Sequence, residues 1–148
     1  MGFCDPLDVL ILMDEAAFAG CLVAARLIGV IEADQTEDGK TVRNDRLIAV
    51  ADKCHLFRDV RSLKELNENM VDEIEHFFVS YNEMKEKRFK PTGRHGPHRA
   101  EKLVKEAMKH FSRSGEGKAL LDGAEQGAAK NDGRSQSASA KDNAPSGR

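Results

Sequence analysis

Polar and apolar residues first separate around residues 8–14, where Val9-Leu10-Ile11-Leu12-Met13 lies between Asp8 and Asp14. A short apolar run between polar ends suits a buried strand. Residues 15–20 read as a loop broken by Gly20. Residues 21–33 are apolar again and carry Ile28, Val30 and Ile31, which predicts a second strand or a strand pair. Asp38-Gly39 is a hairpin signal. Residues 47–51 read as the returning strand, opened by Arg43-Asn44-Asp45-Arg46. The first third is therefore expected to be a β meander with polar tips.

The period changes at Ser62. Ser62-Leu63-Lys64-Glu65 has the form of a capping box, in which the serine accepts from a helix amide and the glutamate reaches back. Leu63, Leu66, Met70, Ile74, Phe77, Phe78 and Tyr81 then recur at steps of three and four, an amphipathic helix. Lys85, Lys87, Arg88 and Lys90 read as its solvated basic end, favoured by the helix dipole. Pro91 ends that stretch. A second helix is expected near Pro97, since proline suits a first turn, with Leu103, Val104, Ala107, Met108 and Phe111 on one face. Strands followed by two helices give an α+β domain.

Composition divides the 148 residues in two. Residues 114–148 are almost entirely small, polar or charged. They hold one apolar pair, Leu120-Leu121, too little to offset the entropy of ordering. They are expected to form a disordered tail behind a domain spanning residues 1–113. The tail's charges balance, so the net charge of −2 belongs to the domain and implies no polyanion-binding field. Three dispersed cysteines, Cys4, Cys21 and Cys54, argue against a disulfide framework and suit a reducing, cytoplasmic setting. No apolar stretch is long enough for a membrane span, and no basic segment precedes an apolar one as in a signal peptide.

Candidate chemistry starts at Asp5-Pro6-Leu7-Asp8. Proline can fix a turn that converges two carboxylates on one hard cation; the alternative is a turn leading into the strand. Asp14 and Glu15 close that strand about 20 Å further on and cannot share the ion, so they read as a solvated strand end. Arg43-Asn44-Asp45-Arg46 mixes charges that could hold a phosphate and its metal, or form a plain hairpin arm. Tyr81 could turn its ring to the core and its hydroxyl outward. Gly93-Arg94-His95-Gly96-Pro97-His98-Arg99 precedes a helix N-terminus, which suits anions. His95 and His98 are weak candidate metal ligands, and the plain alternative is a helix-entry loop whose charges face water. No phosphate-binding glycine loop, nucleophile elbow or paired-cysteine motif occurs. Metal-assisted attack by water is what these residues best allow.

Five segments, in order, resemble the family I soluble inorganic pyrophosphatases: Asp5-Pro6-Leu7-Asp8-Val9-Leu10, Phe18-Ala19-Gly20-Cys21, Ile28-Gly29-Val30-Ile31, Arg46-Leu47-Ile48-Ala49-Val50 and Phe77-Phe78-Val79-Ser80-Tyr81. The resemblance runs from Asp5 to about Phe111. It implies an OB-like β-barrel with two flanking C-terminal helices and magnesium-dependent hydrolysis of pyrophosphate to two phosphates. It implies a homo-oligomer in the cytoplasm, with no nucleic-acid or membrane partner. Residue by residue, Asp5 corresponds to the base for the attacking water and a metal ligand, and Asp8 to a further metal ligand. Arg46 stands at a phosphate-binding lysine, and Tyr81 at a phosphate-contacting tyrosine.

The departures are specific. Phe3 stands where the family has a first aspartate, and Asn44 where it has a metal-binding one. Asp45 is one residue off and is the nearest replacement. Asp34, Glu37 and Asp38 are further candidates. Asn82 replaces a lysine. Four residues stand before Asp5, where the family carries its first strands, so the barrel is expected to be incomplete and the activity weak. A catalytically inactive remnant is therefore the first alternative. An OB-type nucleic-acid module is the second; it ranks far behind because aromatic residues, 5% of the chain, fall mostly on helix faces.

Overall fold

The computed structural model describes residues 6–115 and Lys118. Five strands, β1 (Val9–Leu12), β2 (Ala25–Glu37), β3 (Lys40–Arg43), β4 (Arg46–Ala51) and β5 (Arg88–His95), form one mixed sheet. A 3-10 turn at Leu63–Glu65 and two helices, α1 (Glu68–Glu83) and α2 (Pro97–Arg113), complete it. The chain divides into two units, Met1–Ala107 and Met108–Arg148. The sheet, α1 and α2 up to Ala107 belong to the first. Apart from Ser114, Gly115 and Lys118, the expected polar tail lies outside the described residues, as do Cys4 and Asp5. No helix among the described residues is long and apolar enough to cross a membrane.

β2 is the spine of the sheet. Residues 30 and 31 pair with both β4 and β5, and residues 34–36 with both β3 and β5. β3 and β4 therefore share one edge of β2, and β5 takes the other. The β2–β3 turn is the expected Asp38-Gly39, both with positive φ, 51° and 75°. Only two-residue turns of that hand match the twist of the flanking strands. The meander expected at the start is not observed. β1 pairs with β4, in parallel, on the side away from β2. The long connection after β1 makes this possible, since parallel neighbours need a crossover of a dozen residues or more.

All six residues of β4 are buried, as its unbroken apolar run requires of a strand covered on both faces. One face carries Ile28, Ile31, Ile48 and Val50 against Leu63, Leu66, Val71 and Ile74 of the 3-10 turn and α1. The other carries Val30 and Leu47 against Ala100 of α2, with Leu103 and Val104 beside it. The sheet is not closed into a barrel, in keeping with the incomplete OB-like α+β fold expected from the sequence.

The helix boundaries correct the capping-box reading. Ser62 Oγ accepts from Lys64 N at 3.5 Å and Glu65 caps the Arg61 amide at 2.8 Å. Together they close only the 3-10 turn. Leu66 is extended, and α1 starts at Glu68 behind a second cap, Asn67, which accepts from Asn69 N at 2.9 Å. Residues 88–95 were expected to be a basic helix end and a loop; the whole stretch is β5. Pro91 sits opposite Ala33 at a bulge, where a missing amide does least harm.

Candidate functional site

Between the segment leading into β1 and the β2–β3 hairpin lies a cleft of about 590 Å³. Asp8, Gln35, Glu37, Asn44 and Asp45 line it, with Arg43 and Lys87. Arg46, the first residue of β4 and only 6% exposed, is not among the lining residues but is bonded to two of them. Arg46 Nη1 donates to Asp8 Oδ2 and, at 2.6 Å, to Asn44 Oδ1. Asn44 Nδ2 in turn donates to Gln35 Oε1 at 2.7 Å. One chain of hydrogen bonds thus crosses from β2 to the approach of β1. Burying a guanidinium is costly unless it is paired. Here Asp8 supplies the countercharge, and the Phe78 and Phe89 rings lie 5.4 and 5.3 Å from its central carbon.

The structure confines Asp45 more than its sequence position suggests. Its Oδ1 accepts from the Ala33 amide at 3.2 Å and its Oδ2 from Arg43 Nε at 2.7 Å. Asp45 above all, and Glu32 after it, hold the Arg43 guanidinium above its ordinary pKa against the opposing effect of burial. Glu32 gathers three elements: Arg43 of β3 at 2.5 Å, Arg99 of α2 at 2.7 Å and His95 of β5 at 3.4 Å. Burial pushes its pKa up, but Arg99 and Arg43 outweigh that and hold it below the usual value. Glu37 pairs with Lys87 at 2.9 Å. The charges of the cleft are thus matched within it: Asp8 with Arg46, Asp45 with Arg43, Glu37 with Lys87.

Magnesium takes oxygen ligands, commonly one or two carboxylates with water and substrate phosphate completing the shell. Asp8 fits that use. It lines the cleft, and its Oδ1 has no partner among the described residues. Each Asp45 oxygen already accepts one hydrogen bond, one of them from the Arg43 cation, so Asp45 is less open to an ion than Asp8. Among the described residues no three His, Cys, Asp or Glu side chains come together to hold a metal. Of the other hairpin acids, Glu37 lines the cleft; Asp34 and Asp38 do not.

Tyr81 is placed differently from its expected pose. It is 40% exposed, its ring stacks on the exposed Phe77 at 5.8 Å, and Lys85 Nζ sits 4.3 Å above it. It is not part of the cleft lining. Asn82, the next residue, is buried and donates from Nδ2 to the Phe78 carbonyl at 2.8 Å. Two further readings need correction. Asp14 is exposed, as a solvated strand end should be, but it is not unpartnered: it accepts from the His55 and Leu56 amides at 2.8 and 3.1 Å, from Cys54 Sγ at 3.2 Å and from His55 Nδ1 at 3.0 Å. These bonds, the two amides first, hold its carboxyl far below the usual carboxylate range. Nor do the charges of residues 93–99 all face water. Arg94 grips Glu75 at 2.7 Å and Asp72 beside it, tying β5 to α1, and Arg99 holds Glu32. Sequence reasoning missed Gln35, Lys87 and the Phe78–Phe89 pair. The polar residues alternating after Ala33 were the available signal for Gln35; Lys87 and Phe89 depended on a strand that periodicity did not reveal.

The family model for inorganic pyrophosphatase matches residues 4–112. The chain belongs to the inorganic pyrophosphatase family. It is 34% identical over 107 residues to the inorganic pyrophosphatase of a Nostoc species, covering 72% of this chain and 61% of that protein. It is 32% identical over 108 residues to that of Geobacillus stearothermophilus, covering 73% and 63%. Among solved structures, the inorganic pyrophosphatase of Helicobacter pylori superposes with a TM-score of 0.62 at 32% identity, covering 72% of this chain and 62% of that one. The Neisseria gonorrhoeae enzyme gives 0.63 at 25% identity, covering 74% and 62%. The chain thus spans about three-fifths of the length of these pyrophosphatases.

Proposed function

We propose that the chain hydrolyses pyrophosphate to two phosphates with magnesium, in the cleft between the Asp8 approach and the β2–β3 hairpin. The observation that carries this reading is the buried Arg46 guanidinium bonded to the carboxylate of Asp8, which lines the cleft. A fixed cation beside a hard-oxygen donor is what a metal-bound phosphate needs. In this proposal Asp8 and Asp5 hold the ion, and Asp5 takes the proton of the attacking water. Magnesium, when bound, neutralises phosphate charge and acidifies water. Arg46 binds a phosphate oxygen. Tyr81 would contribute its hydroxyl only after a movement of the α1 end, and Asp45 would join only by giving up Arg43. The names of the relatives support the substrate. A homo-oligomeric, cytoplasmic protein without nucleic-acid or membrane partners completes the reading.

Phosphate release from pyrophosphate with and without magnesium, against an Asp5→Asn control, tests it. Magnesium-dependent release well above the control is expected; release equal to the control would sink the hydrolytic reading. One observation favours a second reading, a family member without activity. Two amides, Gln35 and Asn44, bond to each other in the middle of the cleft, and its carboxylates are already matched by cations. Such a chain would bind pyrophosphate weakly and release no phosphate.

A further inference from the structure

We propose that Phe78 of α1 and Phe89 of β5 are positioning residues that cradle the Arg46 guanidinium and aim its remaining donors at a phosphate oxyanion in the cleft. This rests on the reading of the cleft as a pyrophosphate site. The two ring centroids lie 5.9 Å apart, and each is 5.3–5.4 Å from the guanidinium carbon. The three centres make a nearly equilateral triangle. The guanidinium carbon is therefore about equally far from two rings inclined by 40° to each other. Phe89 is 3% exposed, so this floor is fixed by the core.

The cradle decides which donors are left. Nη1 is spent on Asp8 and Asn44. No group among the described residues accepts from Nε or Nη2. Arg26 Nε is the fully buried side-chain nitrogen without a partner, so these two nitrogens of Arg46 keep access to water. Nε and one Nη form the fork with which a guanidinium takes two oxygens of a phosphate. A ring face attracts a planar cation and limits rotation about the last side-chain bonds. An ammonium on a flexible stem has no plane to rest there and no fork to aim. The two phenylalanines thus act on the ligand through Arg46, without touching it.

The test reads Arg46 directly in the full-length chain. In the wild-type chain, ring currents should move the Arg46 Nε–H NMR signal upfield of the other arginines. Phe78→Leu and Phe89→Leu, which keep apolar bulk but remove the ring, should return the signal towards the others. They should also weaken binding of inorganic pyrophosphate, by calorimetry, about tenfold. Phe18→Leu, at an exposed phenylalanine in the loop after β1, should change neither. Arg46→Lys should weaken binding similarly in the wild-type chain and add little in either phenylalanine variant, the non-additivity expected of coupled groups. An unshifted wild-type signal would overturn the cradle even where a variant fails to fold. So would additive losses. A chain that releases no phosphate but shows the shifted signal and ring-dependent binding upholds the cradle and sinks only the hydrolytic reading.

Discussion

β2 runs for 13 residues, but its two halves are held by different forces. Along residues 25–31 it carries Ile28, Val30 and Ile31, all 0% exposed, against the apolar Leu47, Ile48 and Val50 of β4. Along residues 32–37 it carries Glu32, Asp34, Gln35, Thr36 and Glu37, with Ala33 the sole apolar residue. Its partner there, β3, is exposed throughout. That half is fastened by polar bonds: Glu32 to Arg43 and Arg99, Gln35 to Asn44, Thr36 to Thr41 at 2.8 Å, Glu37 to Lys87. Apolar burial is non-directional and roughly proportional to area, so it stabilises without aiming anything. Exposed ion pairs contribute little net energy but fix where groups point. One half therefore makes the fold and the other arranges the cleft.

The largest expected effect breaks the apolar half. Ile48→Ala removes a fully buried side chain from the sheet face packed against the 3-10 turn and α1, and losses of about 2–5 kcal/mol are usual for such truncations. Urea denaturation should show a lowered midpoint with an unchanged slope. Thr36→Val in the polar half should cost no more than about 1 kcal/mol. Equal effects would mean that the two halves do not differ in the way described.

Next comes the junction. Gly29 lies where a Cβ would stand 2.5 Å from the His95 carbonyl oxygen and 2.8 Å from Leu63 Cβ. The nearer atom is backbone and cannot swing away. Gly29→Ala must part β2 from β5 and should destabilise by about 1–3 kcal/mol, with faster amide exchange in β5 as its mark. An unchanged melting temperature and unchanged β5 exchange would show that the two strands are not so closely apposed.

The same division governs what could be read from the sequence. β1, β4, the Asp38-Gly39 turn and the start of α2 were legible, because each rests on a local signal: an apolar run, a turn pair, a proline. β5 was not. Arg88-Phe89-Lys90-Pro91-Thr92-Gly93-Arg94-His95 has one large apolar residue and two breakers, and it is a strand because the polar half of β2 offers it an edge. Tertiary pairing overrode weak β propensity. The candidate site divides likewise. Arg46 and Asp8 were each singled out in the sequence, but their bond to each other was not. Asp45 was read as a ligand from its spacing, but its oxygens serve Ala33 and Arg43, and no sequence pattern records which way a carboxylate turns. The aromatic floor under Arg46 joins α1 to the unforeseen β5.

Asp45 gives the third expected effect, within the polar half. Asp45→Ala leaves the Ala33 amide and Arg43 Nε without this acceptor. Loss of a hydrogen bond to a charged group costs about 1.5–3 kcal/mol where the partner stays buried, and less where water replaces it. Arg43 is half exposed and keeps Glu32, so the lower end, about 1–2 kcal/mol, is expected. Exchange of the Ala33 amide should speed up selectively. Unchanged exchange would show that Asp45 does not cap β2, and would free it for a cation.

The smallest effect concerns a polar anchor at the outer end of the apolar half. Ala51 of β4 faces Ala25 there, and the chain then turns through Cys54, His55 and Leu56, all bonded to Asp14. These bonds favour the carboxylate, so the folded pKa lies below the unfolded one, about 3.9. As pH falls below about 4, the unfolded chain takes up the proton first. The stabilisation is therefore whole above that pH and declines as pH drops towards the folded value. Asp14→Asn should flatten this part of the profile, measured as urea midpoints between about pH 5 and 2. It should leave the profile near neutral pH parallel to wild type. If both chains lose stability equally below pH 4, the acid sensitivity belongs to the polar half, with its Glu32, Asp45 and Glu37 pairs, and the apolar half has no pH-dependent anchor.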